Sequence, residues 1–376
     1  MTVETLKSLF QTHKETSLFG RYIYHQSIAP LLKSNNEIIT VDVVGTSVNK
    51  LPIHVMTLGR GKIKILMWSQ MHGNESTTTK AVFDLCNVLS SHDANAKQIL
   101  KSCTIQIIPI LNPDGAKAYT RVNANGIDLN RDAQDLSQPE SQVLRSVLNS
   151  FQPDYCFNLH GQRTIFSAGE INSSATISFL APSQDEERSI SPNRKIAMEI
   201  ISKMNDTLQL QIENQVGLYD DAFNLNCVGD TIQASGVPTL LFEAGHFPQD
   251  YMREQTREFI FQSLLVAVNY LSEEKNIGSK YETYFKIPKN KKLFYDIIIR
   301  NSNKGDIAIQ YQEKLIDDRI EFLPQVEKIC DLQDFYGHKE IEANGFEVLN
   351  KKNQPIEAGY EIDFVMINNE KFLMNL

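Results

Sequence analysis

The sequence predicts an α/β fold followed by a small C-terminal β domain. Through the first three quarters of the chain, apolar runs typical of strands alternate with helical patterns, as in α/β proteins. After the polar stretch 272–280, the pattern changes to short β-type segments. We therefore expect a catalytic domain over residues 1–274 and a small β-rich domain over residues 275–376, which suits a chain of 376 residues.

Each element has its own signal. Apolar or alternating runs predict six strands in the first domain: Glu37–Val44, Pro52–Thr57, Ile63–Trp68, Thr104–Leu111, Asp154–Leu159 and Thr239–Glu243. Helical periodicity, with polar or proline residues at the start, predicts four helices: Ser76–Leu89, Glu140–Phe151, Pro192–Leu208 and Gln249–Leu271. The β domain is expected to contain Leu293–Arg300, Ile307–Tyr311, His338–Ile341 and Tyr360–Ile367.

Candidate metal ligands follow two of these strands. His72 and Glu75 stand three apart after Ile63–Trp68, and His160 follows the apolar run Tyr155–Leu159. Sites in open α/β sheets lie at the carboxyl ends of strands, so the three side chains can converge there. Two imidazoles and one carboxylate are typical of a catalytic zinc site, which keeps one position open for water. Cobalt and manganese are alternatives that the residue types leave open.

Further motifs follow in a fixed order. The run Asn112-Pro113-Asp114-Gly115 precedes Arg121 and Asp128-Leu129-Asn130-Arg131, and Glu243 ends the strand-like run after His160. Together with the candidate ligands, this series resembles the funnel-type zinc metallocarboxypeptidase family, the carboxypeptidase A-like enzymes, in a bacterial-type member. The resemblance covers about residues 41–274 and implies a mixed, twisted sheet flanked by helices.

The resemblance also implies a role for each motif residue. His72, Glu75 and His160 match the ligands of one Zn²⁺ per chain, and Glu243 matches the general base that takes a proton from the attacking water and passes it to the leaving amine. Arg121 matches the arginine that stabilises the oxyanion, and Asn130 with Arg131 matches the pair that binds the substrate's carboxylate. Tyr219 matches an aromatic residue on a mobile loop, for which Gly217 and Gly229 would allow movement.

Two other polar residues have competing interpretations. Asp230 would either favour a basic C-terminal side chain or hydrogen-bond the amides of its own loop, and we favour the second. His246, three residues after Glu243, is expected to be a structural histidine rather than a ligand of a second metal.

The predicted activity is zinc-dependent hydrolysis of the amide bond next to the free C-terminal carboxylate of a peptide. An alternative is an N-acyl amino acid deacylase, because His72-Gly73-Asn74-Glu75 is also similar to the motif of the aspartoacylase and succinylglutamate desuccinylase relatives. A murein-peptide amidase and a catalytically silent carboxylate-binding protein are further alternatives. The β domain is expected to stabilise or dimerise the protein, or else to shape the substrate funnel.

Composition limits the other possibilities. A net charge of −9 argues against a broad nucleic-acid surface or adhesion to anionic membranes. The sequence opens without a long apolar stretch, so neither a secretory signal nor a membrane span is expected. Five cysteines without CxxC spacing favour reduced thiols, and we therefore predict a cytoplasmic protein. The sequence predicts no particular oligomeric state.

Overall fold

A computed structural model describes residues 1–33 and 37–376. Its α-helices are α1 Val3–His13, α2 His25–Leu32, α3 Thr77–Leu89, α4 Ala94–Ser102, α5 Pro113–Ala118, α6 Pro139–Phe151, α7 Pro192–Gln209, α8 Val228–Ala234 and α9 Glu254–Glu273. Its strands are β1 Ile39–Thr46, β2 Pro52–Leu58, β3 Ile63–Ser69, β4 Cys103–Ile108, β5 Tyr155–Gly161, β6 Phe166–Ala168, β7 Ile177–Leu180, β8 Val216–Leu218, β9 Thr239–Ala244, β10 Asn290–Lys292, β11 Phe294–Ser302, β12 Gly305–Ile316, β13 Arg319–Cys330, β14 Tyr336–Glu342, β15 Val348–Leu349, β16 Phe364–Ile367 and β17 Glu370–Leu373. Short 3₁₀ turns occupy Leu129–Arg131 and Tyr281–Lys286.

The chain forms two compact units. The first comprises residues 1–162 and 175–290, and the second comprises residues 163–174 and 291–376. This division differs from the predicted boundary between residues 274 and 275 in two ways: the segment 275–290 belongs to the first unit, and the short insertion 163–174 belongs to the second.

Specific contacts explain why residues 275–290 belong to the first unit. The Glu199 carboxylate on α7 accepts hydrogen bonds from the backbone N–H groups of Gly278, at 2.8 Å, and Lys280, at 2.6 Å. Tyr284 is buried, and its hydroxyl accepts a hydrogen bond from the backbone N–H of Ala181. These contacts join residues distant in sequence, so the local pattern, which predicts residues 275–290 to be part of the β-rich domain, does not indicate them.

The first unit is built on an eight-stranded mixed sheet in the order β1-β2-β4-β3-β5-β9-β7-β8. The four central strands β4, β3, β5 and β9 are parallel, whereas β2 and β7 run antiparallel to their neighbours β4 and β9. The central strands are buried on both faces, as parallel strands covered by helices must be. The prediction of a mixed α/β sheet is therefore confirmed.

Helices cover both faces of this sheet. One apolar cluster joins α1, α2, α3, α4, α7 and α9 to side chains such as Met67, Phe157 and Phe242. The opposite cluster joins α6 and α8 to side chains such as Trp68 and Cys156. Side chains alternate between the faces along each strand, so His160 lies on the same face as Cys156, toward α6 and α8.

The second unit consists of β-structure. It contains a four-stranded sheet in the order β13-β12-β11-β14, a three-stranded sheet β15-β16-β17, and the pair β10-β6. The insertion joins this unit because Ile165 accepts a hydrogen bond from the backbone N–H of Phe294 and His338 bonds the Thr164 carbonyl. The expectation of a small C-terminal β domain is thus confirmed in its architecture. Within the described parts of the chain, no helix is long and apolar enough to cross a membrane.

Candidate metal centre

The strand β3 ends in a turn that places the first two predicted ligands. Gln70 adopts a left-handed backbone with φ of 44°, which costs a non-glycine residue roughly 1 kcal/mol or more. Its buried side chain offsets this cost by donating to the carbonyls of Ile23, at 2.9 Å, and Gly73, at 2.7 Å. These bonds fix the direction in which the chain leaves the sheet, and His72 and Glu75 lie in the loop that follows.

The Asn-Pro-Asp-Gly motif supports this loop. Asn112 caps α5 by accepting from the Gly115 N–H at 2.8 Å, and its amide donates to the Met71 carbonyl at 3.2 Å. A Cβ atom on Gly73 would lie 1.9 Å from the carbonyl carbon of Gly115. The backbones at Gly73 and Gly115 are thus in direct contact. The helix α5, which carries the motif, therefore fixes the position of the loop that contains His72 and Glu75.

The three predicted ligands converge. Nδ1 of His72 lies 2.8 Å from Oε1 of Glu75, and Nδ1 of His160 lies 3.0 Å from Oε2 of the same carboxylate. The two Nδ1 atoms are 3.1 Å apart. Among residues 1–33 and 37–376, this is the group of His, Cys, Asp or Glu side chains whose donor atoms come close enough to hold a metal ion.

This donor set fits zinc. Ligand atoms about 2.0–2.1 Å from a tetrahedral ion are roughly 3.3 Å apart, close to the observed separations. The arrangement would be energetically unfavourable without a cation, because two buried imidazole nitrogens face each other and share one carboxylate. Burial opposes ionisation of Glu75, yet the charges and hydrogen bonds of His72 and His160 hold the pKa of this carboxyl well below its usual range.

Asp128 is a residue of the site to which the sequence analysis assigned no role. Its Oδ1 lies 3.1 Å from Nε2 of His72, so that a proton on Nε2 is donated to the carboxylate and Nδ1 keeps its lone pair for the metal. Burial opposes ionisation of Asp128, but the hydrogen bond and charge of His72 hold the pKa of this carboxyl far below its usual range. Nothing in the sequence pairs two residues 56 positions apart, although a ligating histidine generally requires such a partner.

Asp128 also positions Arg121. Its Oδ2 accepts from Nε of Arg121 at 3.0 Å, and Nη1 of Arg121 lies 3.4 Å from Oε1 of Glu75. The guanidinium is half exposed, at 50%. The predicted oxyanion-stabilising cation therefore lies beside the metal ligands, with part of its hydrogen-bonding capacity directed to solvent.

Glu243 lies on the strand next to His160. The two residues are paired in the parallel register of β5 and β9, which brings the predicted base to the edge where the ligands converge. Burial and the nearby charge of Glu75 raise the pKa of Glu243 well above its ordinary value, while the charge of Arg121 opposes the shift. Oε2 of this carboxylate has no hydrogen-bond partner within the described residues. A buried carboxylate with this environment is suited to accept a proton.

The predicted carboxylate-binding pair lies on the 3₁₀ turn after Asp128. Oδ1 of Asn130 accepts from the Val228 N–H at 3.0 Å, which leaves the N–H₂ group of the amide to donate to a ligand. Nη1 of Arg131 donates to the Asn130 carbonyl at 2.7 Å and contacts Sγ of Cys227 at 3.0 Å. Both residues are thus tied to the start of α8, and Arg131 is exposed.

Tyr219 follows β8 and lies within the electrostatic reach of the site. Burial raises its pKa far above the usual value, with further contributions from the charges of Glu243 and Glu75 and an opposing one from Arg121. The backbone N–H of Tyr219 donates to the Phe179 carbonyl on β7, and β7 pairs with β9, so Tyr219 continues a strand that lies two positions from the strand of Glu243. Its role in substrate binding stays a prediction.

Three other residues behave differently from ligands. Asp230 accepts a hydrogen bond from the Asn224 N–H at 2.7 Å, in agreement with the loop-bonding interpretation. His246 is buried against the ring of Tyr251, with ring centroids 4.6 Å apart. Asn158, two residues before His160, is fully buried, and neither amide atom has a hydrogen-bond partner among the described residues.

The family model for zinc carboxypeptidases matches residues 24–236, more than half of the chain. This chain belongs to the zinc carboxypeptidase family. The matched span contains the three converging side chains and ends before Glu243. The family gives the metal its identity as zinc, in agreement with the donor set, while the number of ions per chain stays a prediction.

Similar proteins agree with this assignment. The chain is 30% identical over 152 residues to carboxypeptidase E of Caenorhabditis elegans, a stretch covering 33% of this chain and 32% of the worm protein. It is 30% identical over 137 residues to carboxypeptidase SOL1 of Arabidopsis thaliana, covering 31% of this chain and 28% of the plant protein. The matched stretches therefore span about a third of these relatives.

Solved structures show the same fold. A metallo-carboxypeptidase from Burkholderia cenocepacia superimposes with a TM-score of 0.53 at 21% identity, covering 66% of this chain and 69% of that one. Carboxypeptidase A from Helicoverpa armigera superimposes with a TM-score of 0.54 at 16% identity, covering 72% and 81%.

Proposed function

We propose that this protein is a zinc-dependent carboxypeptidase that releases the last residue of peptides carrying a free C-terminal carboxylate. The observation that carries the proposal is the convergence of His72, Glu75 and His160 at the end of β3 and β5, with Glu243 paired beside His160 on β9. The predicted carboxylate-binding residues Asn130 and Arg131 follow Asp128, which itself contacts His72.

Zinc, when bound by the two imidazoles and Glu75, supplies a Lewis acid that acidifies water and polarises the scissile carbonyl. Glu243 then takes the proton from the attacking water, for which its raised pKa suits it, and returns the proton to the leaving amine. Arg121 donates to the oxygen on which negative charge develops, and this interaction is stronger in the transition state than in the ground state.

Arg131 and Asn130 select the substrate. A planar guanidinium offers two parallel N–H donors to a carboxylate, and the Asn130 amide adds a third. A C-terminal amide lacks the charge that this pair would compensate, so peptide amides should be poor substrates. Tyr219 would cover the bound residue and exclude water.

The test is product analysis by mass spectrometry. The purified protein, with its zinc content measured, is offered matched pairs of free-acid and amidated peptides together with N-acyl amino acids and cell-wall peptides. We expect loss of single C-terminal residues from the free acids alone. Turnover of acyl amino acids alone would instead identify the deacylase, and turnover of cell-wall peptides alone would identify the amidase.

A variant of the base completes the test. Glu243→Gln keeps the size and burial of the side chain but cannot take a proton, so we expect activity to fall by roughly 10²–10⁴-fold with zinc content unchanged. The exposed Glu273→Gln, on α9, is the matched control and should retain activity. Full activity of Glu243→Gln would remove this residue from the proposed mechanism. A cytoplasmic location stays a prediction.

A further inference from the structure

The segment that carries Tyr219 is held at its start by the sheet. Leu218, the last residue of β8, donates its backbone N–H to the Pro288 carbonyl at 2.8 Å. Tyr219 donates its own N–H to the Phe179 carbonyl on β7 at 3.0 Å. The backbone of Tyr219 is therefore an extension of the sheet edge, although its side chain lies beyond the last paired residue of the strand.

Asp221 holds the same segment on its other side. Its carboxylate accepts from Nη2 of Arg194 at 2.7 Å and from Nη1 of Arg188 at 3.1 Å. Its backbone carbonyl accepts from the Ser183 hydroxyl at 2.7 Å. Burial acts to raise the pKa of Asp221, but the hydrogen bond and charge of Arg194 together outweigh burial and bring the pKa below its usual value. The ion pair is therefore charged at neutral pH.

Arg194 is a fixed partner. It projects from α7, its side chain is 2% exposed, and its remaining donors reach the carbonyls of Ala181, at 3.1 Å, and Arg188, at 2.7 Å. A buried guanidinium whose three nitrogens are all engaged cannot follow a moving loop without leaving several donors unpaired. The neighbouring Asp220 differs, because its side chain is 76% exposed and reaches Arg188 only at 3.8 Å.

We propose that Asp221 is a positioning residue, whose ion pair with Arg194 holds Tyr219 in the site before substrate binds. The tyrosine segment is thus preset in this chain, in contrast to the mobile loop that the resemblance implied. A preset group loses less conformational entropy when substrate binds. The role assigned to Tyr219 rests on the proposed function, whereas the anchoring of its segment does not.

The first experiment measures anchoring without activity. Hydrogen exchange of the amides in residues 217–223 is compared in the zinc-loaded, substrate-free wild type, Asp221→Asn and Asp220→Asn. Asp221→Asn keeps the side-chain volume but loses the charge that Arg194 pairs with, so exchange at Tyr219 should accelerate roughly ten- to a hundredfold. Asp220→Asn should exchange like the wild type. Equal exchange in all three proteins would overturn the proposal.

The second experiment asks whether Asp221 acts through Tyr219. In a double-mutant cycle, Asp221→Asn should lower kcat/KM for a free-acid peptide by about tenfold, and by less than about twofold when Tyr219→Ala, which removes the covering ring, is already present. The same loss in both backgrounds would show a general structural effect and overturn the positioning role. If the wild type turns over no peptide, the proposed function fails, and the exchange experiment alone decides whether the segment is anchored.

Discussion

The two sides of the candidate site are built by different means. The side chains of the predicted metal ligands His72 and His160 are 3% and 2% exposed; His160 lies on the buried parallel strand β5, and His72 lies in the loop that follows β3. On the substrate side, Arg121 is 50% exposed and depends on side-chain contacts with Asp128 and Glu75. The predicted metal geometry follows from the sheet and from a loop fixed by buried hydrogen bonds to the backbone, whereas the predicted substrate geometry follows from loops held by ion pairs. Substitutions on the two sides should therefore fail differently, the first by losing the metal and the second by losing substrate affinity.

The largest effect is expected where the sheet places the metal. His160→Ala should abolish stoichiometric zinc binding and lower peptide turnover by about a thousandfold or more, because the metal supplies several kcal/mol of transition-state stabilisation. Metal analysis and turnover of the same sample measure both losses. The half-buried His54 lies on β2, outside the ligand group, and His54→Ala should keep its zinc. Stoichiometric zinc in His160→Ala would place the ion elsewhere.

The substrate side should lose affinity and keep its metal. Arg131→Ala should raise KM for a free-acid peptide by about a hundredfold with zinc content unchanged, because a charge-assisted bidentate contact contributes roughly 1.5–3 kcal/mol. Arg131→Lys should fall between the wild type and the alanine variant, since the ammonium keeps the charge without the fork. The control is the same peptide with a C-terminal amide, which has no carboxylate for Arg131 to bind. Its slow turnover should have the same rate in all three proteins. A proportional loss for both peptides would show that Arg131 does not recognise the carboxylate.

Asp128 contacts both sides of the site, through His72 and through Arg121. Asp128→Asn removes the acceptor charge at Nε2 of His72, and we expect zinc affinity to fall by about 10–100-fold in a chelator competition assay. Arg121→Ala removes the other contact of the same carboxylate and should leave zinc affinity within about threefold of the wild type. If both variants lost zinc equally, Asp128 would act on the metal through Arg121 rather than through His72.

The smallest effect on activity is expected from a buried charge cluster outside the site. Glu254 accepts from Lys80 at 2.5 Å and pairs with Lys14 at 2.7 Å. Burial opposes its ionisation, but the charge of Lys80 and the hydrogen bonds of Lys14 and Lys80 lower the pKa of Glu254 to about 2. A carboxyl with a lowered folded-state pKa stabilises the protein fully above its unfolded value of 4.5, and this contribution disappears as pH falls toward 2.

Glu254→Gln should therefore be less stable than the wild type at pH 6, and the difference should shrink steadily from pH 4.5 toward pH 2. Urea unfolding of both proteins across this range measures the gap, and peptide turnover at neutral pH should be nearly unchanged. A gap that does not depend on pH would mean that the carboxylate contributes through packing and not through its charge.

The same division explains what the sequence could predict. The strands that lead to the site are apolar runs, and their predicted and observed bounds differ by one or two residues; β9, which carries Glu243, is predicted at Thr239–Glu243 and observed at Thr239–Ala244. The structure brings together the three side chains that the spacing selected. Their catalytic roles, like those of Glu243, Arg121, Asn130 and Arg131, stay predictions. Local apolar patterns suffice here because burial on both faces leaves a strong signal.

Other features were missed for physical reasons. The strand β8 has three residues, too few for any periodicity, although it carries the segment of Tyr219. The strand β13 contains Pro324 and four charged residues, which weaken its local signal. It is held by its pairing with β12 and, on its other side, by a bridge between Gln325 and Glu361. The sequence signal for this strand was the pair Asp317-Asp318 before it, which suits a two-residue hairpin turn. In the structure both residues have positive φ, as such a turn requires. Contacts between residues that are distant in sequence, such as Asp128 with His72 and Asp221 with Arg194, cannot be predicted from local sequence patterns.

The parallel register that pairs His160 with Glu243 has a consequence for redesign. Backbone hydrogen bonds between two interior strands fix the separation of His160 and Glu243, and no loop contributes to it. Residues of the loops around Arg131 and Tyr219 can therefore be exchanged for those of relatives while these two residues keep their spacing. New substrate preferences should be obtained by grafting loops onto this chain, with the two strands and the glycine contact of Gly73 and Gly115 left as they are.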